Sequence, residues 1–130
     1  MTKPLSIDDL YTDTGTFDQQ KVLSILQSKV AFTRDNEILF TVDPAKIKAR
    51  DVIILYALAK KVLKANSKIE NEVITSAELL DKTKINKNTV GVTLMRLKER
   101  KLLLAAGSGY ELPMFKVNEA ISLLSDNKNE

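Results

Sequence analysis

Residues 75–113 read TSAELLDKTKINKNTVGVTLMRLKERKLLLAAGSGYELP, and the order of patterns in this stretch decides the fold. Thr75 and Glu78 stand at the T-x-x-E spacing of a helix N-terminal capping box, just before Leu79 and Leu80. The helix they open breaks at Ile85 and Asn86. Beyond the break Val90, Leu94 and Leu97 recur at helical spacing, which predicts a second, basic amphipathic helix over residues 87–101. An apolar strand at 102–106, a tight Gly107-Ser108-Gly109 turn and a strand at 110–112 follow, closed by Pro113. Leu79 and Leu80 would bury against Val90, Leu94 and Leu97 and hold the two helices at a steep crossing angle.

Working outward, Glu72-Val73-Ile74 could add a short strand beside this hairpin. Before it lies a long helix, from about Lys48 or Arg50 to Ala65. Val52, Leu55, Tyr56, Ala59, Val62 and Leu63 form one stripe on it, with Ile54 and Leu58 off the stripe. Such a helix should be buried on two sides, against an N-terminal hairpin and against the helix pair. Just ahead of it, Asp43-Pro44 reads as a helix cap with proline at the first helical position. The hairpin itself pairs residues 29–33 with 37–42, so that Val30, Phe32, Ile38, Phe40 and Val42 share a face. A helix from Phe17 to near Ser28 precedes it, with Val22, Ile25 and Leu26 on one side and Asp18 as cap or first-turn acid. Residues 1–16 are polar and read as a loosely ordered arm. At the other end Val117, Ala120, Ile121 and Leu124 mark an amphipathic C-terminal helix capped near Asn118, then a frayed tail from 126 to 130. The expected class is therefore α+β, mainly α. One integrated domain spans 17–130, divided into an extension (17–48), a central unit (49–113) and a terminal helix (114–126).

Composition narrows the function. The chain has 130 residues, 44% hydrophobic and 28% charged, the balance of an ordinary globular domain. It has no Cys and no His, which removes thiol chemistry and the commonest general base and metal ligand. No cofactor, no metal site and no enzyme activity are expected. The longest apolar run, 52–59, is far short of the ~20 residues that cross a bilayer. A single early lysine and no apolar leader predict no signal peptide, so the expected location is cytoplasmic. The net charge of +3 is uneven: residues 44–113 carry fourteen Lys/Arg against seven Asp/Glu, while 1–43 carry four against seven. Positive charge concentrated in this way favours a polyanionic partner.

Residues 75–112 resemble the winged helix-turn-helix superfamily of bacterial and archaeal transcription regulators, and with the long helix the likeness extends over about 49–113. Ser76-Ala77-Glu78-Leu79-Leu80 in the first helix, Asn88-Thr89-Val90 opening the second, and Leu94, Leu97, Leu102 and Leu103 behind them carry the resemblance. It implies a non-enzymatic protein that binds double-stranded DNA by docking helix 87–101 in the major groove. Lys87, Asn88, Thr93 and Arg96 would reach base edges or the groove, and Lys82, Lys84 and Lys98 would neutralise phosphates. Seven basic residues fall between 82 and 101, the last two being Arg100 and Lys101 at the helix C-terminus, where the dipole favours cations in any case. Gly91, Val92 and Met95 also point outward but cannot hydrogen-bond to bases, and the Gly-Ser-Gly tip carries no cation for a minor groove. Those two facts give the alternative, a protein-interaction module using Val92, Met95 and the C-terminal helix.

Other features read blandly. Ser108 has strand-like flanks on both sides and no histidine anywhere, so it is a turn residue and not a nucleophile. Asp8, Asp9 and Asp13 form a solvated acidic arm that could also fold over the basic surface. Tyr56 and Tyr110 are packing residues, and aromatics are too sparse for a base-stacking platform. Val117, Ala120, Ile121 and Leu124 offer an apolar stripe suited to a homodimer interface.

Overall fold

The computed structural model describes residues 18–125; the arm expected at 1–16 and the tail at 126–130 lie outside them. The fold is α+β and mainly helical, built around the helix Ala49–Ala65 (α2). Every residue of α2 from 51 to 59 is buried, as are Lys61, Val62 and Leu63, so the helix has no solvent side at its middle. A helix of this kind must be enclosed, and four elements enclose it. These are the N-terminal helix α1 (Gln19–Leu26), the hairpin β1 (Val30–Phe32) with β2 (Ile38–Phe40), the helix α4 (Lys87–Glu99) and the C-terminal helix α5 (Val117–Ser125). The two-sided burial expected of α2 is thus exceeded, and α2 touches both the extension and the C-terminal half. Each large side chain buried there contributes about 1.5–3 kcal/mol relative to exposure.

The charged residues of α2 survive burial because each has a partner. Asp51 receives the Nε of Arg50 at 3.2 Å and sits in the first turn, where the helix dipole favours it. Lys61 donates to the carboxylate of Glu72. No side chain caps α2. Asp43 instead accepts from the Ala45 amide and caps a one-turn 3-10 helix, Pro44–Lys46. Pro44 takes the first position of that short helix as expected, and the extended Ile47 and Lys48 separate it from α2.

In the first hairpin Val30 lies opposite Phe40 and Phe32 opposite Ile38, so the expected shared face forms. Val30 and Ile38 are buried and Phe40 half-buried, whereas Phe32, next to the turn, stays exposed. Asn36, at positive φ, turns the chain and donates its Nδ2 to the Lys68 carbonyl at 3.1 Å, tying the hairpin to the link after α2.

The second half contains α3 (Ser76–Thr83), α4, and a hairpin of β3 (Leu104–Ala106) with β4 (Gly109–Glu111). Leu102 and Leu103, expected in a strand, precede it and lie in the core. The expected third strand is a single bridge: the Ile74 amide donates to the Tyr110 carbonyl at 2.7 Å and the Tyr110 amide donates back at 2.9 Å. Gly109 permits that approach, since a Cβ there would lie 2.2 Å from the Ile74 carbonyl oxygen.

The C-terminal helix corrects one expectation. Val117, Ala120 and Ile121 are buried within the chain, α5 packs on α2, and Arg50 donates to the Leu123 carbonyl at 3.0 Å. The stripe assigned to a dimer interface is occupied by the chain's own core, leaving only Leu124 partly exposed. Asn118, expected as the cap, lies inside the first turn of α5.

Candidate nucleic-acid interface

The helix pair is positioned from behind by apolar burial. Leu79 of α3 and Val90, Leu94 and Leu97 of α4 are buried in the same core as Ile54, Leu58 and Leu102. Thr75 Oγ1 accepts from the Glu78 amide at 3.1 Å, one half of the capping box. The other half does not form. The Glu78 carboxylate turns to α2, accepting from the Tyr56 hydroxyl at 2.5 Å and pairing with Lys60 at 2.6 Å. Lys60 also donates to the Val73 carbonyl at 2.8 Å and lies 5.7 Å from the Tyr56 ring centre. Burial pushes the Tyr56 phenol well above its ordinary range, and the Glu78 hydrogen bond adds to the shift. This network fixes the start of α3 to the central helix.

The break between α3 and α4 is also specified locally. Lys84 adopts the left-handed conformation at the end of α3 and donates its amide to the Leu80 carbonyl. Asn86 then caps α4, its Oδ1 accepting from the amides of Asn88 at 2.7 Å and Thr89 at 3.4 Å. At the far end Lys101 is left-handed, with Leu102 donating to Leu97 and Lys101 to Lys98. That is a Schellman motif with lysine where glycine is usual.

The buried residues of α4 define its outer face. At 3.6 residues per turn, Asn88, Val92, Met95 and Glu99 lie opposite Val90, Leu94 and Leu97, on the outermost line of the helix. Lys87, Gly91 and Lys98 lie on one flank, and Thr89, Thr93, Arg96 and Arg100 lie on or toward the other. All but Thr93, which is half-buried, are exposed. Lys84, Lys87, Arg96, Lys98, Arg100 and Lys101 make no ion pair with any described residue. Lys60, Lys61 and Lys116, away from this surface, are each paired with a carboxylate.

Five of the seven expected site residues, Lys84, Lys87, Asn88, Arg96 and Lys98, are exposed on α4 or at the turn leading into it. Two are placed differently. Lys82 is drawn to the hairpin extension, where Glu37 holds it at 3.4 Å. Thr93 donates its hydroxyl to the Thr89 carbonyl at 2.6 Å and faces a groove of about 660 Å³ against the start of α2, with Arg50, Arg96 and Arg100 around it. Arg100 thus belongs to a polar row with Thr89, Thr93 and Arg96, at the i, i+4, i+7, i+11 spacing of one helix flank, a signal already present in the sequence. A second groove, of about 690 Å³, runs between β2 and the α3–α4 turn and includes Phe40, Ile47, Asp81, Lys82 and Ile85.

No group of three or more carboxylates among the described residues is placed to hold a metal ion. No described helix is long and apolar enough to cross a membrane. No protein-family model, curated protein or solved structure matches the chain.

Proposed function

We propose that the protein binds double-stranded DNA as a non-enzymatic, winged-helix type regulator, with α4 docked in the major groove. In this reading the β3–β4 hairpin, joined by the bridge to Ile74, is the wing. The observation that carries the proposal is the unpaired charge of α4. Lys87, Lys98, Arg96 and Arg100 stand exposed without carboxylate partners on two flanks of a helix whose inner face is locked into the core. A polyanion that straddles such a helix meets cations on both sides, and the major groove admits one α-helix. Lys84 and Lys98 add phosphate contacts, and Asn88 is the side chain best placed for a base edge.

Fluorescence anisotropy with a random-sequence duplex at 50 and 200 mM salt tests the reading. With about three to five phosphates neutralised at a slope of about −0.9 each, affinity should fall ~40- to 500-fold across that range. Arg96→Glu should abolish binding while leaving the thermal transition in place, because the side chain is exposed and unpaired. Absence of binding by the folded protein at 50 mM salt would overturn the proposal.

One observation favours a second reading. Val92 and Met95 are 48% and 60% exposed on the outermost line of α4, an apolar pair suited to a protein partner. That reading predicts partner binding that tolerates salt and is lost in Met95→Glu.

A further inference from the structure

Three glycines lie among the described residues, and two of them serve the fold. Gly107 takes a positive φ of 56° at the hairpin turn, and Gly109 makes room for the Ile74 carbonyl. Gly91 does neither. It sits in the middle of α4 with no unusual φ, and a Cβ built on it would meet nothing within 4 Å. Glycine disfavours a helix interior roughly four- to fivefold relative to alanine, so its presence here weakens the element it occupies. Nothing in the chain's own packing benefits from the missing side chain.

The surroundings of Gly91 indicate what does benefit. One turn before it stands Lys87, one turn after it Met95, and two turns after it Lys98, all exposed. Lys87, Gly91 and Lys98 fall within about 40° of one another around the helix. The result is a notch, where the α4 backbone is bare, with an unpaired cation on either side along the axis. Glycine at such a place permits close approach by another backbone.

We propose that this notch receives the sugar–phosphate backbone of one DNA strand, with Lys87 and Lys98 on its phosphates and Gly91 as the positioning residue that lets the strand touch the helix. The inference rests on the DNA-binding reading and adds an orientation to it. The Lys87–Gly91–Lys98 flank lies against one wall of the groove, and Arg96 and Arg100 face the other. Asn88 and Val92 then point to the base edges. Glu99, an exposed carboxylate on the same outer line, is held toward the groove mouth, so the N-terminal half of α4 enters deepest.

Gly91→Ala separates this idea from a structural role because the two effects have opposite signs. The variant should unfold about 3–5 °C higher than the parent, as alanine is the better helix former. It should bind duplex DNA at least fivefold more weakly, and Gly91→Leu at least 50-fold more weakly. The salt slope should hold in Gly91→Ala, where the long Lys87 and Lys98 side chains still reach phosphates across one added methyl, and should fall in Gly91→Leu, which keeps the strand away from them. Parent and Gly91→Ala binding equally would overturn the notch and leave the DNA reading standing. A lower unfolding temperature for Gly91→Ala would show that the glycine serves the fold, and would also overturn it. A parent that does not bind DNA at low salt would remove both proposals together.

Discussion

Replacing Tyr56 by Phe removes one oxygen from the interior and tests whether α3 is held to α2 by the Glu78 network. Tyr56 is 2% exposed, and its hydroxyl donates to a carboxylate at 2.5 Å. Hydrogen bonds to charged groups are worth about 1.5–3 kcal/mol net. The Glu78 side chain is 25% exposed and keeps Lys60, so water recovers part of that, and the expected loss is about 1–2 kcal/mol. Glu78→Ala should cost more, about 2–4 kcal/mol, since it strands the buried hydroxyl and removes the Lys60 partner together. The double variant should then be little worse than Glu78→Ala, giving a coupling of about 1–2 kcal/mol. Urea unfolding followed by far-UV circular dichroism suits a chain without tryptophan.

The same network predicts a pH signature. The folded phenol titrates above the unfolded one, whose pKa is about 10, so folding favours the protonated form. The contribution is complete below pH 10 and is lost as pH rises beyond it, at up to about 1.4 kcal/mol per unit. Tyr56→Phe should lack that component, and its stability should decline less steeply than the parent's between pH 10 and 11. Additive single and double variants, or identical alkaline slopes, would refute the network as the tie between α2 and α3.

Gly109→Ala should destabilise by about 1–3 kcal/mol, because the new methyl must push the Ile74 carbonyl away from 2.2 Å; amide exchange at Ile74 and Tyr110 should accelerate. Lys101→Gly should stabilise by about 0.5–1 kcal/mol in thermal melts, relieving a left-handed lysine at φ 64°. Lys87→Ala should lower DNA affinity and reduce the salt slope by about one phosphate, whereas Lys82→Ala should change both little, as Glu37 already neutralises Lys82. Equal effects of the two lysine variants in the anisotropy assay would show that the Glu37 pair opens on binding.

The elements that the sequence made legible are those governed by short-range rules. Apolar spacing located α2 and α4, alternation set the face of the first hairpin, and Asp18 caps α1 by accepting from the Lys21 amide. What escaped depends on partners far along the chain. Glu78 obeys the spacing of a capping box, yet Tyr56 and Lys60, on α2, claim its carboxylate. Desolvated hydrogen bonds to a charge outweigh a surface cap worth about 1 kcal/mol. The stripe of α5 looked like spare apolar surface because sequence periodicity cannot say whether a helix packs on its own core or on a second copy. Here a one-turn 3-10 helix, Met114–Lys116, leads into α5, which packs on α2.

The charge pattern of the candidate site shows the same division. From sequence Lys82, Lys84 and Lys98 are equivalent candidates for phosphate contacts. Lys82 differs from Lys84 or Lys87 because Glu37, 45 residues away, is delivered beside it by the hairpin. That placement gives the N-terminal extension a definite part in the surface: it neutralises the cation nearest the hairpin and leaves those of α4 uncompensated. Replacing Glu37 by Gln should free Lys82 and broaden the basic patch, raising non-specific DNA affinity at low salt while barely altering stability, since an exposed pair is worth only about 0–1 kcal/mol.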